Sequence, residues 1–313
     1  MRIIFMGTPD FAVPALQKLY DIGADIPLVV TNPDRRAGRG KKFQPCAVKQ
    51  LALDLGLSVV SPERIRDNLD FKEQLEQEDP DFIVVAAYGK ILPQSILEIP
   101  GHGCINIHAS LLPKYRGAAP IQRAVLAGEK ISGVSIMYMS EGMDEGDIIA
   151  QRAVNIEGKS SYDLFDEFSV LGAELLVECL PLLFRGEPGS PLDIRPQNHA
   201  EASYAPMISK DEASMDWSRT AAQLQAHVLG MYSRPTASTL LNGELLKVHR
   251  ARAAGPTEGS PGTVVEILEE GIGVACGDGR ILLLELVQAP GRRAMTAAEF
   301  LRGRSIEIGE LLG

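Results

Sequence analysis

Across the N-terminal half of the chain, short apolar runs alternate with segments of helical periodicity, and no other feature of the sequence limits the fold so strongly. Ile3 to Met6, Leu28 to Val30, Phe82 to Ala86 and Ile105 to Ile107 read as buried strands. Val48 to Leu55 and Phe71 to Glu78 read as amphipathic helices between them. A strand apolar on both faces has to be covered on both. The pattern therefore predicts an α/β domain, a Rossmann-like, doubly wound and mostly parallel sheet with helices on each side. Gly133 to Met139 and Asp147 to Ile156 read as further strands, and Ser161 to Arg185 as one long helix stopped by Gly186-Glu187-Pro188-Gly189.

The pattern then changes. Residues 187–206 turn to Pro, Ser, Asn and Asp without periodicity, the composition of a linker. Beyond it a helix at Ala221 to Met231 is followed by short strands joined at Asn242-Gly243, Glu270-Gly271 and Gly277-Asp278-Gly279, with a last helix near Thr296 to Arg302. Short strands joined by such turns predict a smaller antiparallel β-barrel. The expected division is thus 1–186, a linker at 187–206, and 207–313. With 313 residues, 45% of them hydrophobic, the chain is long enough for two cores.

In an open parallel sheet, ligands bind beyond the carboxyl ends of the strands. The first such turn, Gly7-Thr8-Pro9-Asp10, carries no GxGxxG, so a nicotinamide enzyme is not expected. Two positions stand out after the fourth run, in CINIHASLLPKYRGAAP. Strand geometry sends Asn106 and His108 to one side and Ile107 to the other, which puts an amide and an imidazole at one spot. Such a pair can donate to a developing oxyanion, and the imidazole can move a proton near neutral pH. Ser110-Leu111-Leu112-Pro113 follows, with two leucines expected to face outward as a flat apolar wall. Downstream, Gly142-Met143-Asp144-Glu145-Gly146-Asp147 gathers three carboxylates in a glycine-flanked turn, and a carboxylate facing His108 would order a water and bias its charge.

Charge narrows the partners. The net charge is -10 and the pI near 5.1, so any nucleic-acid contact has to come from a local cluster. One exists: Asn32 to Lys49 carries six basic side chains (Arg35, Arg36, Arg39, Lys41, Lys42, Lys49) against Asp34 alone, with Gly38 and Gly40 expected to keep it mobile. The four cysteines form no CxxC and no Cys/His pair at ligand spacing, which predicts reduced thiols and no metal site. MRIIFMGTPDF is too short an apolar stretch for a signal peptide, and no run spans a bilayer, so a cytoplasmic protein without membrane association is expected.

Together FMGTPDFAVP, PDRRAGRGKK, VVAAYGKILP, GCINIHASLLPKYRGAAPIQ and GMDEGDI resemble the folate-dependent formyltransferase family, in particular its branch that formylates initiator Met-tRNA. The likeness extends along essentially the whole chain. It implies the formyltransferase fold with an OB-fold-like C-terminal barrel that contacts tRNA, 10-formyltetrahydrofolate as cosubstrate, no metal, and a monomer acting in translation initiation. It also implies a catalytic group of Asn106, His108 and Asp144, folate at Ser110, Leu111, Leu112 and Pro113, and tRNA contacts from Arg36, Arg39, Lys41 and Lys42. The family's usual N-P-W-P is replaced by GMYSRPTAS from Gly230 to Ser238, and residues 206–313 hold 11 basic and 13 acidic side chains. Lys247, His249, Arg250 and Arg252 could still form a basic stripe there. Two alternatives remain: a formyltransferase for a sugar nucleotide or other small amine, against which the basic loop argues, and a non-catalytic RNA-binding protein on the same fold.

Overall fold

The computed structural model describes residues 1–37, 42–186, 192–232, 234–304 and 306–313, with the side chains of 35–37 and 42 also outside the description. Two compact units emerge. The first comprises Met1–Pro120, Ser132–Val154 and Phe165–Ala205, and the second comprises Ile121–Ile131, Asn155–Leu164 and Pro206–Gly313. The division therefore interleaves along the chain rather than falling at one linker.

In the first unit the elements follow in the order β1 (Arg2–Gly7), α1 (Val13–Asp21), β2 (Asp25–Val30), β3 (Arg35–Ala37), β4 (Lys42–Gln44), α2 (Ala47–Asp54) and β5 (Val59–Val60). They continue with α3 (Leu69–Gln77), β6 (Phe82–Ala86), α4 (Gln94–Leu97) and β7 (Cys104–His108), and after α5 (Pro120–Leu126), which from Ile121 on belongs to the second unit, come β8 (Ile131–Tyr138), β9 (Ile148–Asn155) and α6 (Ser161–Arg185). Seven strands form one sheet in the order β5-β2-β1-β6-β7-β8-β9. Neighbours from β5 to β7 run parallel, and β8 turns antiparallel to β7.

The period of two decides which face each side chain covers. Ile4 and Met6, Ile83 and Val85, and Leu28 and Val30 form one buried cluster with Phe71 and Leu75 of α3, Ile96 of α4, and Cys104. Cys104, Asn106 and His108 share a parity on β7, so the two polar residues continue that face past the cluster. Ile107 points the other way, and a Cβ on Gly172 of α6 would come within 2.5 Å of its Cγ2, so glycine is what lets the helix lie so close. Burial of a side chain like Ile107 contributes about 1.5–3 kcal/mol.

The segment read as a linker is not a tether in its described part. Tyr204 bridges Arg116, Arg195 bridges Ile148, and Ala205 N–H donates to Arg116 O at 2.7 Å. Composition alone does not distinguish a free linker from a strap held by backbone hydrogen bonds.

The basic segment is described in part. Its described residues pair as an antiparallel hairpin, Arg35 with Gln44, Arg36 with Phe43 and Ala37 with Lys42, while Gly38, Arg39, Gly40 and Lys41 lie outside the described residues. Lys49 Nζ sits 2.8 Å from Asp34 Oδ2, so one cation of the cluster is paired within it.

In the second unit α7 (Ala221–Gly230) opens on a capping box: Thr220 Oγ1 accepts from Gln223 N–H, and Gln223 Oε1 from Thr220 N–H, each at 3.1 Å. There follow β10 (Ser238–Leu241), β11 (Glu244–Pro256), β12 (Val264–Ile267), β13 (Ile272–Ala275), β14 (Arg280–Gln288), β15 (Met295–Thr296) and α8 (Ala297–Gly303). The sheet order is β10-β11-β14-β13-β12, with β15 beside β14. Leu241 in edge strand β10 bridges Leu312, and Thr263, just before edge strand β12, bridges Leu311, so the expected small barrel takes the form of an antiparallel half-barrel whose edges residues 309–313 line. Trp217, Leu224, Val228, Leu246, Val248, Leu282 and Leu284 are among its core residues, and Trp217 Nε1–H donates to Thr239 Oγ1 at 3.0 Å.

Candidate active site

The crevice at the carboxyl ends of β1, β2 and β6 is tied by one side chain. Asn32 Nδ2 donates to Thr8 Oγ1 at 3.0 Å and to Tyr88 O at 2.7 Å. Those three turns follow three different strands, so their mutual position depends on pairs far apart in sequence.

At the end of β7, His108 is 5% exposed and Asn106 is half-buried. Among the described residues no hydrogen bond engages the Asn106 amide, which leaves its donors available to a ligand. His108 Nε2 lies 3.0 Å from Tyr115 O. A carbonyl only accepts, so Nε2 carries a hydrogen and Nδ1 is the edge free to exchange a proton. That edge faces Asp144, with Nδ1 3.6 Å from Oδ2. That separation suits an ion pair when the imidazole carries a second proton and is too long for a direct hydrogen bond. Asp144 Oδ2 also accepts from Gly117 N–H at 2.8 Å, which fixes the carboxylate.

Two residues with side chains hold left-handed backbone here, Tyr115 at φ 60° and Asp144 at φ 54°. Each such residue costs about 1–3 kcal/mol and persists only where its surroundings hold it. Tyr115 thereby presents its carbonyl, and Asp144 its carboxylate, to the same imidazole.

The neighbouring loop is braced from beneath. Ser135, paired with His108 across β7 and β8, donates to Ser110 O at 2.6 Å and accepts from Leu112 N–H at 3.1 Å. Gln151 Nε2 reaches both Leu112 O and Ser135 Oγ. Leu112 does not face outward as expected: it is 3% exposed and packs with Met137 and Ile148, because the braced backbone turns it inward. Ser110 is fully buried and spends its hydroxyl on Lys114 O. Leu111 and Pro113 are half-buried and remain accessible. Of the basic residues expected on tRNA, Arg36 and Lys42 have described backbones in the hairpin, and Arg39 and Lys41 lie outside the described residues.

Sequence reasoning did not single out Arg116 or Gln197. Arg116 is 1% exposed, and its guanidinium donates to Gln197 Oε1 from Nε at 3.1 Å and Nη2 at 2.8 Å, and to Glu145 Oε1 from Nη1 at 3.2 Å. Breaking a buried charge from its partner typically costs about 3–5 kcal/mol. Gln197, 5% exposed, donates from Nε2 to Asp144 O and Gly146 O at 2.8 Å each. The only hint in the sequence was a lone arginine before Gly117, with no period to mark it as buried.

Three of the four free cysteines are buried, and burial pushes the Cys104 thiol up to about 12 and those of Cys179 and Cys276 up to about 11. Those three stay protonated at neutral pH and supply no nucleophile. Among the described residues no group of three or more His, Cys, Asp or Glu side chains is gathered as for a metal ion, and no helix is long and apolar enough to cross a membrane.

Comparison with known proteins gives a consistent result. Residues 1–180 match the family model described as formyl transferase, and residues 207–305 that of the formyl transferase C-terminal domain. The chain is 45% identical to a methionyl-tRNA formyltransferase of Geobacter sulfurreducens, over 100% of this chain and 97% of that protein. It is 43% identical to that of Bacillus subtilis, over 100% and 98%. Among solved structures, an N-formyltransferase from Helicobacter canadensis in complex with folinic acid and dTDP-3-aminofucose shares the fold, with a TM-score of 0.67 at 17% identity over 92% of this chain and 98% of that one. On its length-wide identity and both domain matches, the chain belongs to the formyl transferase family and, within it, to the methionyl-tRNA formyltransferases.

Proposed function

We propose that this chain transfers the formyl group of 10-formyltetrahydrofolate to the amino group of methionine on initiator Met-tRNA, for translation initiation, acting in the cytoplasm as a monomer. One observation carries the chemistry: His108, at the end of β7, and Asp144, in the turn between β8 and β9, face each other at 3.6 Å beside the unengaged amide of Asn106. The family's whole-length likeness carries the acceptor.

In this reading the amine attacks the formyl carbon, the bond from that carbon to the folate nitrogen breaks, the amine loses a proton and the folate nitrogen gains one. Asn106 and the protonated Nδ1 edge of His108 donate to the oxyanion that develops on the formyl oxygen, a contribution of about 10²–10³ in rate per donor. Asp144 holds the imidazole's charge and orders a water that relays the proton, worth about 10²–10⁴. The nucleophile is the substrate's own amine, in keeping with thiols that stay protonated. Leu111 and Pro113 offer accessible apolar surface to the folate ring. Arg36, Arg39, Lys41 and Lys42 are assigned to the tRNA backbone, as phosphate contacts that position rather than specify.

The test is a transfer assay with 10-formyltetrahydrofolate that offers Met-tRNA and a UDP-amino sugar in parallel. Formylation of Met-tRNA alone is expected, and His108→Ala should lose transfer by about 10²-fold or more while tRNA affinity is kept. Consumption of the amino sugar instead would overturn the acceptor. Full transfer by His108→Ala would overturn the catalytic group.

A further inference from the structure

Gln197 lies in the strap that follows the catalytic elements in sequence, and its amide is fully used. Both Nε2 hydrogens go to carbonyls of the acidic loop, Asp144 O and Gly146 O at 2.8 Å each, and Oε1 accepts twice from Arg116. A primary amide has two donors on one atom and two acceptor sites on the other, so nothing is left over. No other side chain of this size presents both.

The partner it leans on is held by its backbone as well. Arg116 N–H donates to Ser203 O at 2.8 Å, its carbonyl accepts from Ala205 N–H at 2.7 Å, and its Nη1 also reaches His199 Nδ1 at 3.4 Å. The loop is therefore tied at the backbone of 144 and 146 by Gln197 and at the side chain of Glu145 by Arg116. Asp144 needs such a hold, because its φ of 54° is sparsely populated for a residue with a side chain and glycines flank the turn.

We propose that Gln197 is a positioning residue for formyl transfer, keeping Asp144 at its distance from His108 through the backbone carbonyls of the acidic loop. It makes no hydrogen bond to Asn106 or His108, so it acts through the loop. The inference rests on the reading of Asp144 as part of the catalytic group.

Gln197→Glu and Gln197→Met in the full chain separate the two arms. Glutamate keeps oxygens toward Arg116 but sets an oxygen against two carbonyls, whereas methionine keeps the volume and loses both arms. The expected result is a fall in kcat of about 10- to 100-fold in both variants, since displacement of a positioned group by about 1 Å has that scale. KM for 10-formyltetrahydrofolate should stay within about twofold, because ground-state binding is untouched. The melting temperature should fall in both variants, and less for glutamate, which keeps its oxygens toward Arg116. Asp144→Asn is measured alongside. If Asp144→Asn loses transfer while Gln197→Glu keeps wild-type kcat, the positioning role is overturned and the active-site reading stands. If Asp144→Asn keeps wild-type kcat, the active-site reading itself fails.

Discussion

Gly117 joins two requirements at one backbone position. Its N–H holds Asp144 Oδ2, and its φ of +117° lies where side chains are disfavoured, with a built Cβ 2.9 Å from Ala205 O. Gly117→Ala should therefore cost about 1–3 kcal/mol in stability, read as a lower urea midpoint, and should reduce kcat as well because the carboxylate loses its anchor. A midpoint and kcat equal to wild type would contradict both. The alternation of Asn106 and His108 was legible in the sequence because period two is a property of the strand itself. Asp144 as the partner of His108 came from the family resemblance and not from any local period, and Tyr115 O and Ser135, which reach it from a loop and a neighbouring strand, were not legible at all, since no local period encodes which residues meet across those distances.

At the scale of elements, an ion pair within the second unit ties α5 to the segment before α7. Arg123 Nη1 lies 2.5 Å from Glu212 Oε2, and Ser209 N–H also donates to that carboxylate. The Arg123 guanidinium, followed by the Ser209 N–H, lowers the Glu212 carboxyl from 4.5 to about 2. A carboxylate lowered on folding stabilises the protein above its unfolded value and loses that contribution as pH falls through the folded one. The stability gap between wild type and Glu212→Gln should be constant above about pH 5 and shrink between pH 4.5 and about 2. Solvent screening keeps it to about 1 kcal/mol or less. Urea midpoints across that range check it, and a gap independent of pH would refute it. Most strands and the long helix Ser161–Arg185 could be read from apolar period alone. Leu112 and the strap could not, since burial of one loop leucine and the docking of residues 192–205 are set by Ser135, Gln151 and Arg116, which lie elsewhere in the chain.

For the molecule as a whole, a net charge of -10 opposes a polyanion, so the cluster at 35–49 has to carry the attraction locally. Arg39→Ala is expected to weaken transfer to Met-tRNA at physiological salt with KM for 10-formyltetrahydrofolate unchanged, and to reduce the salt slope of tRNA binding by about one. Filter-binding titrations over a range of salt measure this, and an unaltered slope would remove Arg39 from the phosphate contacts. The sequence by itself determined the α/β class, the change to short strands after the strap, the Asn106 and His108 pair and the acidic turn, because periodicity, turn chemistry and local charge are short-range properties of a chain. Only the tertiary structure decided that Asp144 faces His108, that Leu112 is core, and that Arg116 and Gln197 clamp the acidic loop. Those arrangements depend on which strand ends and loops the sheet order brings together, and a buried hydrogen bond constrains both its partners without leaving a pattern in the sequence of either.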